Sequence, residues 1–360
     1  MKERKVILVA TGVAVLLCVL GGLYKPGAML AAYLAAWWFW IGLLMGGLAN
    51  IWLHNLTGGA WGEAIRSPLL HMSRTSWIAA LLFLPVLLGM NELYPWAAHA
   101  GQGMARWTND YSAPAFKNAW LMPTFFIARS IVYLLIWVAL AYLSQRPGLR
   151  RSRAFSAFAL IAYGLSMSLA AVDWIMSLLP AWYSSVFGWL AGTGQMLAGM
   201  ALAIVLVTRP AAPASAAILR DLGNLMLMYV LTWAYLAFVQ FLIIWAENLP
   251  HEIAWYLPRM KNGWLVVAWI LVLFHFAAPL LILLSRNAKR SARLLGSLAI
   301  GMLTVHLIDA WWLVLPSVRT VGLDWLWAAP LATIALGGIV LLLTPYRELV
   351  AVAERGQAHA

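Results

Sequence analysis

Charge is what this sequence has least of. Asp, Glu, Lys and Arg together make up 10% of its 360 residues, whereas soluble domains carry about 25%, so a chain wetted on every side is excluded. Cysteine is scarcer still: Cys18 stands alone. One thiol cannot close an internal disulfide, and neither an iron–sulfur cluster nor a Cys-based zinc site finds its ligands here. The P-loop, the His-Glu-x-x-His helix and the nucleophile elbow are all absent, which removes the usual signatures of nucleotide, zinc-hydrolase and serine-hydrolase chemistry. No soluble domain interrupts the chain, and no run of short alternating strands marks an outer-membrane barrel.

What fills the chain is apolar. Hydrophobic residues make up 64% of it, at a mean hydropathy of +0.84. A helix needs roughly 20 apolar residues to cross the hydrocarbon, where every backbone polar group must be paired internally. Windows of that kind lie at 6–23, 28–53, 72–93, 119–143, 154–178, 185–207, 223–246, 263–285, 294–315 and 325–344. They predict an all-α integral membrane protein of about ten transmembrane helices. Met1–Lys5 resembles the basic start of a signal peptide, but Gly21–Pro26 is a poor cleavage site, so the first window is read as a retained helix.

The formal charge of +12 would suggest nucleic acid in a soluble protein; here its distribution gives topology, and no nucleic-acid partner is expected. With the N-terminus inside, 17 basic residues fall in cytoplasmic segments and 6 in outer ones, the asymmetry of a positive-inside protein. Both termini are expected in the cytoplasm. The clusters at 150–153 and 286–293 read as topological anchors that also touch anionic lipid.

The chain divides into a peripheral first helix over 1–27, a first four-helix bundle with the start of a second over 28–207, and a cytoplasmic linker over 208–222 around Pro210 and Pro213. The rest of the second bundle spans 223–316, and a peripheral tenth helix with a cytoplasmic tail spans 317–360. The bundles, helices 2–5 and 6–9, resemble each other weakly. Asp173 precedes Leu179-Pro180 as Asp309 precedes Leu315-Pro316, with the proline seven residues on in both. Four helices per unit make this a parallel repeat. Gly42 and Gly46 on helix 2, and Gly188 and Gly192 on helix 6, have the spacing that lets helices approach closely.

Ionisable groups within apolar windows are functional candidates by default. Asp173 and Asp309 lie one to two turns below the outer surface; Arg129 and His275 are placed near mid-depth in helices 4 and 8. His306 and Asp309 share a helical face, and an acid beside an imidazole suits proton transfer. Glu247 closes helix 7 outside and His71 opens helix 3 inside. Duller roles stand beside these: a structural Arg129–Asp173 ion pair, a cross-bundle hydrogen bond for His275, and simple solvation among headgroups for Glu247 and His71. His275 and His306 are read as single candidates, without the paired histidines that a b-type haem requires. Tryptophans at 96, 107, 120, 174, 182, 245, 255, 264, 311, 312, 325 and 327 crowd the outer side. Beyond a plain aromatic belt, that excess suggests a protein-docking surface or an amphipathic ligand there.

Several segments together resemble the NrfD/polysulfide-reductase-type membrane subunits: His54–Gly59 with Trp61–Pro68, Phe83–Gly89, Ala171–Leu178 with Trp182–Ser184, Gln240–Glu252 and Leu273–Phe276. The resemblance runs over nearly the whole chain and is strongest to the ActF-type subunit of alternative complex III, a bacterial quinol:electron-acceptor oxidoreductase. It implies ten helices in two four-helix bundles with no cofactor in this chain. It also implies a paralogous membrane subunit, an iron–sulfur protein and haem c subunits as partners, with a terminal oxidase as a further one. Asp173 occupies the family's helix-5 aspartate position; the sister copy is the one tied to the quinol pocket, and this copy supplies structure or a proton path. The expected function is thus assembly, proton transfer or quinol-site support in a respiratory quinol:cytochrome c oxidoreductase. A secondary transporter with buried acids is the alternative, and a membrane-embedded lipid-modifying enzyme is a third reading.

Overall fold

The computed structural model describes residues 2–98, 114–208, 214–261, 263–318 and 323–343. These residues are mostly helical, with turns and short irregular stretches between the helices and no strand among them. Eight helices are long and apolar enough to cross a membrane, which makes this an all-α, multi-pass membrane protein.

The long helices are α1 (Lys2–Tyr24), α2 (Pro26–Thr57), α4 (Pro123–Leu143), α5 (Arg153–Trp174), α6 (Phe187–Val207), α7 (Ala216–Glu247), α8 (Trp264–Leu284) and α9 (Ala292–Val314), with α3 (Ala60–Ser73) and α10 (Ala328–Leu343) shorter. Their ends follow local chemistry. Pro26 and Pro123 open α2 and α4, where a missing amide is harmless. Ser152, Ser215 and Ser291 cap α5, α7 and α9 by accepting a backbone N–H three residues on. Asn248, at φ 51°, ends α7 in the left-handed conformation.

Three windows fold differently from the simple expectation. The segment before the third window is not a loop: α3 occupies Ala60–Ser73, and the stretch Ser76–Leu88 follows at a bend of 47°. The bend has a cause. The Leu70 carbonyl, which would accept the Arg74 amide in a continuing helix, accepts instead from Gln145 Nε2 at 2.7 Å and from Ser73 Oγ at 2.8 Å. Arg74 N turns to His71 O at 3.3 Å. Pro85 then breaks the ladder a second time, and the chain continues in short helical pieces to Ala98. In the eighth window, Leu271–Ala277 widens into a π-helix, and Ala278 N reaches back to Leu273 O. Pro279 supplies no amide for the His275 carbonyl, and the wider turn accommodates that loss. The tenth window yields only 16 helical residues, about 24 Å at 1.5 Å per residue, and its last residue lies outside the described ones, as do 209–213 of the linker and the tail from 344.

Burial concentrates on α2 and α6, which cross at the centre. Between helices in lipid the hydrophobic effect is weak, so close packing and hydrogen bonds must hold them. A Cβ on Gly46 would run into the Gln195 carbonyl, and one on Gly199 into the backbone of Gly46 and Gly47. Asn50 of α2 donates to Met196 O of α6 at 2.9 Å and accepts from Tyr229 of α7 at 2.8 Å. Gln195 accepts from Tyr163 of α5 at 2.5 Å. Around this crossing, α3 packs on α2, α6 and α7, α5 on α2, α4 and α6, and α9 on α2, α6 and α8, while α1 and α10 pack on each other and on α2.

Candidate functional site

The two aspartates of the sequence repeat sit in different surroundings. Asp173, near the end of α5, is fully buried and saturated. Arg129 Nε donates to one carboxylate oxygen at 2.8 Å and Nη2 to the other at 2.9 Å. Tyr133 adds a bond at 3.0 Å and the Trp120 indole one at 2.8 Å. The guanidinium also lies 4.0 Å from the Trp120 ring centre and 4.3 Å from that of Phe125. Arg129 stands in the second turn of α4 rather than at mid-depth, which places it level with the end of α5. This is a fork-to-fork pair with its charge enclosed by aromatic rings. It has the geometry of a structural lock.

Asp309, near the end of α9, is buried beside an imidazole instead. His306 Nδ1 lies 3.8 Å from its carboxylate, one turn back on the same face, as the i, i+3 spacing predicts. His275, on the π-helical stretch of α8, stacks on His306 with ring centres 5.6 Å apart and planes 17° from parallel. Trp233 meets the other side of His275 edge-on at 4.2 Å. The histidines read as single candidates therefore belong to one cluster. Spacing along the chain could not reveal this, because they lie on separate helices. Gly194 of α6 leaves room for the His306 ring: a Cβ there would stand 2.9 Å from its Cε1.

A cavity of about 430 Å³ opens onto this cluster. Its walls are mostly apolar and aromatic, including Trp38, Leu190, Trp233, Trp269, Leu271 and Trp312; its polar groups are Gln240, Tyr256, Arg259, His306 and Asp309. Phe241, Leu265, Trp269 and Val272 on its rim are exposed on the apolar flank between α7 and α8. His306 Nδ1, Arg259 Nε and the Trp312 indole nitrogen are buried without a hydrogen-bond partner. Few natural interiors leave several such groups around one space.

Arg259 is a residue that the sequence reading placed among the outer-loop charges. It is 1% exposed. Its guanidinium lies over the Trp255 ring at 3.3 Å and donates to Trp255 O, Leu313 O and Ser317 Oγ at 2.8, 2.8 and 2.9 Å. No carboxylate forms an ion pair with it among the described residues. The signal for it was weak: an arginine after Leu257-Pro258 in a stretch rich in aromatics.

Of the remaining candidates, Glu247 ends α7 at an exposed position and His71 lies in the last turn of α3; neither lines the cavity. Glu247 stands near Glu252, whose carboxyl is raised above the ordinary range, first by burial and then by the adjacent Glu247 carboxylate. The outer tryptophans mostly turn inward, against the expectation of a docking face. Trp96, Trp174, Trp182, Trp255, Trp264 and Trp325 are buried, Trp245 and Trp327 stand exposed, and Trp107 lies outside the described residues. Trp174 meets Trp37, Trp38, Phe83 and Trp137, and Trp182 stacks on Trp255 at 4.3 Å. At the opposite end, Arg66 is a buried hub: it bonds to Glu63, His54, Asn55 and the Arg150 carbonyl.

No protein-family model matches the chain, and no curated protein is significantly similar to it. Among the described residues, no group of three or more His, Cys, Asp or Glu side chains is arranged to hold a metal ion. Chemically, the cluster offers a carboxyl and an imidazole, groups able to pass a proton, at the wall of a mostly apolar and aromatic cavity.

Proposed function

We propose that this chain is a membrane subunit of a bacterial quinol-oxidising respiratory complex, without a redox cofactor of its own. In this reading it lies in the inner membrane with both termini cytoplasmic, and it is built as two four-helix units, α2–α5 and α6–α9, flanked by α1 and α10. Its partners are a paralogous membrane subunit, an iron–sulfur protein and haem c proteins, with a terminal oxidase as a further one. The motif resemblance supports the assembly. One observation carries the chemistry: an aromatic, lipid-flanked cavity ends on the buried His306–Asp309 pair.

Oxidising a quinol to a quinone releases two electrons and two protons. The electrons pass to the partners' centres; each proton needs a base within hydrogen-bond reach. His306 and Asp309 supply an imidazole nitrogen and a carboxylate at the cavity wall, and Arg259 supplies a fixed positive charge beside them. Gln240 and Tyr256 offer polar atoms to the ring's substituents.

The test is the native complex, purified in mild detergent, with its companions identified and Asp309→Asn compared with wild type. The reading expects co-purification with the paralogous subunit and the iron–sulfur/haem c module. It also expects an assembled Asp309→Asn complex whose quinol oxidation or proton release falls at least tenfold, the lower end of a general base's usual effect being about a hundredfold. Purification alone as an active solute carrier in proteoliposomes would sink it.

A further inference from the structure

A second site lies at the other end of α7, remote from the cavity residues. Arg220 and Asn224 of α7 face Arg286, Lys289 and Arg290 across a cleft of about 320 Å³. Four cations and one amide line it, and no carboxylate does. Asp221, the neighbouring acid, is engaged by Arg220 at 3.2 Å.

The cleft is built rather than incidental. Lys289 is only 9% exposed although it carries a charge. Its stem crosses Gly223, where a Cβ would stand 2.8 Å from Lys289 Cγ, and its Nζ donates to Asn224 Oδ1 at 2.7 Å. That partner is neutral, so the ammonium is positioned without being neutralised. The short helix Arg286–Arg290, capped by Ser285, holds Arg286 and Arg290 exposed beside it. Like charges gathered this closely repel, and an anion relieves that repulsion.

The surroundings identify the anion's source. Leu281 and Leu284 below the short helix, Leu294 beyond it, and Met228 and Leu231 on α7 are large, apolar and exposed. A soluble anion has no use for such flanks, whereas a phospholipid lays its acyl chains along them with its phosphate in the cleft. Basic clefts between membrane helices recognise anionic headgroups in this way, and arginine matches phosphate oxygens through its paired N–H groups.

We infer that the Arg220–Asn224–Arg286–Lys289–Arg290 cleft is a binding site for the phosphate headgroup of an anionic phospholipid. The site takes a phosphodiester from the bilayer and ties the start of α7 to the α8–α9 turn through it. Removing one cation at such a surface costs about fivefold in binding, so removing two exposed ones should cost about 25-fold.

The test is native mass spectrometry of the full-length protein in mild detergent, titrated with diphosphatidylglycerol, with phosphatidylcholine and with inorganic phosphate. Wild type should retain diphosphatidylglycerol, with little phosphatidylcholine or phosphate bound at equal concentration. R286Q/R290Q, altered only at exposed positions, should bind the anionic lipid about 25-fold more weakly. R153Q, at another basic turn, should match wild type. The inference is overturned if phosphatidylcholine binds as tightly, if R153Q loses as much as the double variant, or if R286Q/R290Q binds normally. Inorganic phosphate binding as tightly as the lipid would also overturn it, leaving a general anion site.

Discussion

Asp173→Asn and Asp309→Asn make the same chemical change at repeat-related positions, yet they should differ sharply in stability. In wild type, four hydrogen bonds converge on Asp173: Arg129 Nη2 and Trp120 Nε1 on one oxygen, Arg129 Nε and Tyr133 on the other. An Asn side chain accepts on a single oxygen, so its NH₂ must face one of these donor pairs. The arginine also loses its counter-charge in a site where it is 8% exposed. Breaking a buried ion pair by removing one partner costs about 3–5 kcal/mol. Asp309 has far less to lose. Its imidazole neighbour lies at 3.8 Å, beyond hydrogen-bond range, so the exchange risks at most an ordinary hydrogen bond, worth about 1 kcal/mol.

The measurement is unfolding of the detergent-solubilised protein, by SDS titration or thermal melting. Asp173→Asn and Arg129→Gln should each lose about 3–5 kcal/mol, and the apolar pair Arg129→Met/Asp173→Leu should recover much of that, because it leaves no orphan charge. Asp309→Asn should stay within about 1 kcal/mol of wild type. If Asp309→Asn proves as damaging as Asp173→Asn, or if Asp173→Asn is neutral, the distinction between lock and proton site collapses.

Two further outcomes follow from packing and from ligand chemistry. Gly199→Ala should lower the melting temperature clearly, since its Cβ meets the α2 backbone and overpacking costs about 1–3 kcal/mol, while Gly301→Ala, which meets nothing within 4 Å, should leave it unchanged or raise it. The isolated chain should show no haem absorbance in its optical spectrum; a stoichiometric b-type signal that His275→Leu or His306→Leu abolishes would reassign both imidazoles as axial ligands.

How much of this was legible in the sequence depends on the range of the interaction concerned. Eight of the ten expected spans were legible because apolar content is a local property, and the helix-packing glycines because their spacing is. His306 with Asp309 was legible for the same reason: one helical turn brings i and i+3 together. Nothing local announces that His275 stacks on His306 or that Arg259 folds inward, since both contacts join separate segments. The bend after Ser73 was illegible for a related reason. The carbonyl that would have continued the helix is taken by Gln145, 75 residues away. Tryptophan misled because its position along a helix gives depth but not direction. A ring at the membrane boundary can face lipid or stack inward, and most of these stack inward.

The contrast between the two aspartates lies in what surrounds each of them. At Asp173 the negative charge meets its arginine on the neighbouring helix, two aromatic rings and a tyrosine, so no site remains for a ligand to approach. At Asp309 the nearby arginine, Arg259, spends its donors on Trp255 O, Leu313 O and Ser317 Oγ, and the carboxylate's neighbour is an imidazole one turn back on its own helix. The carboxylate is then left at a cavity wall with capacity to spare. A fold that must stay rigid in lipid gains from a locked charge pair in one half, while a proton-handling site needs a carboxylate that is not locked. What separates the two aspartates is the group beside each: a guanidinium from the neighbouring helix at Asp173 and an imidazole from its own helix at Asp309.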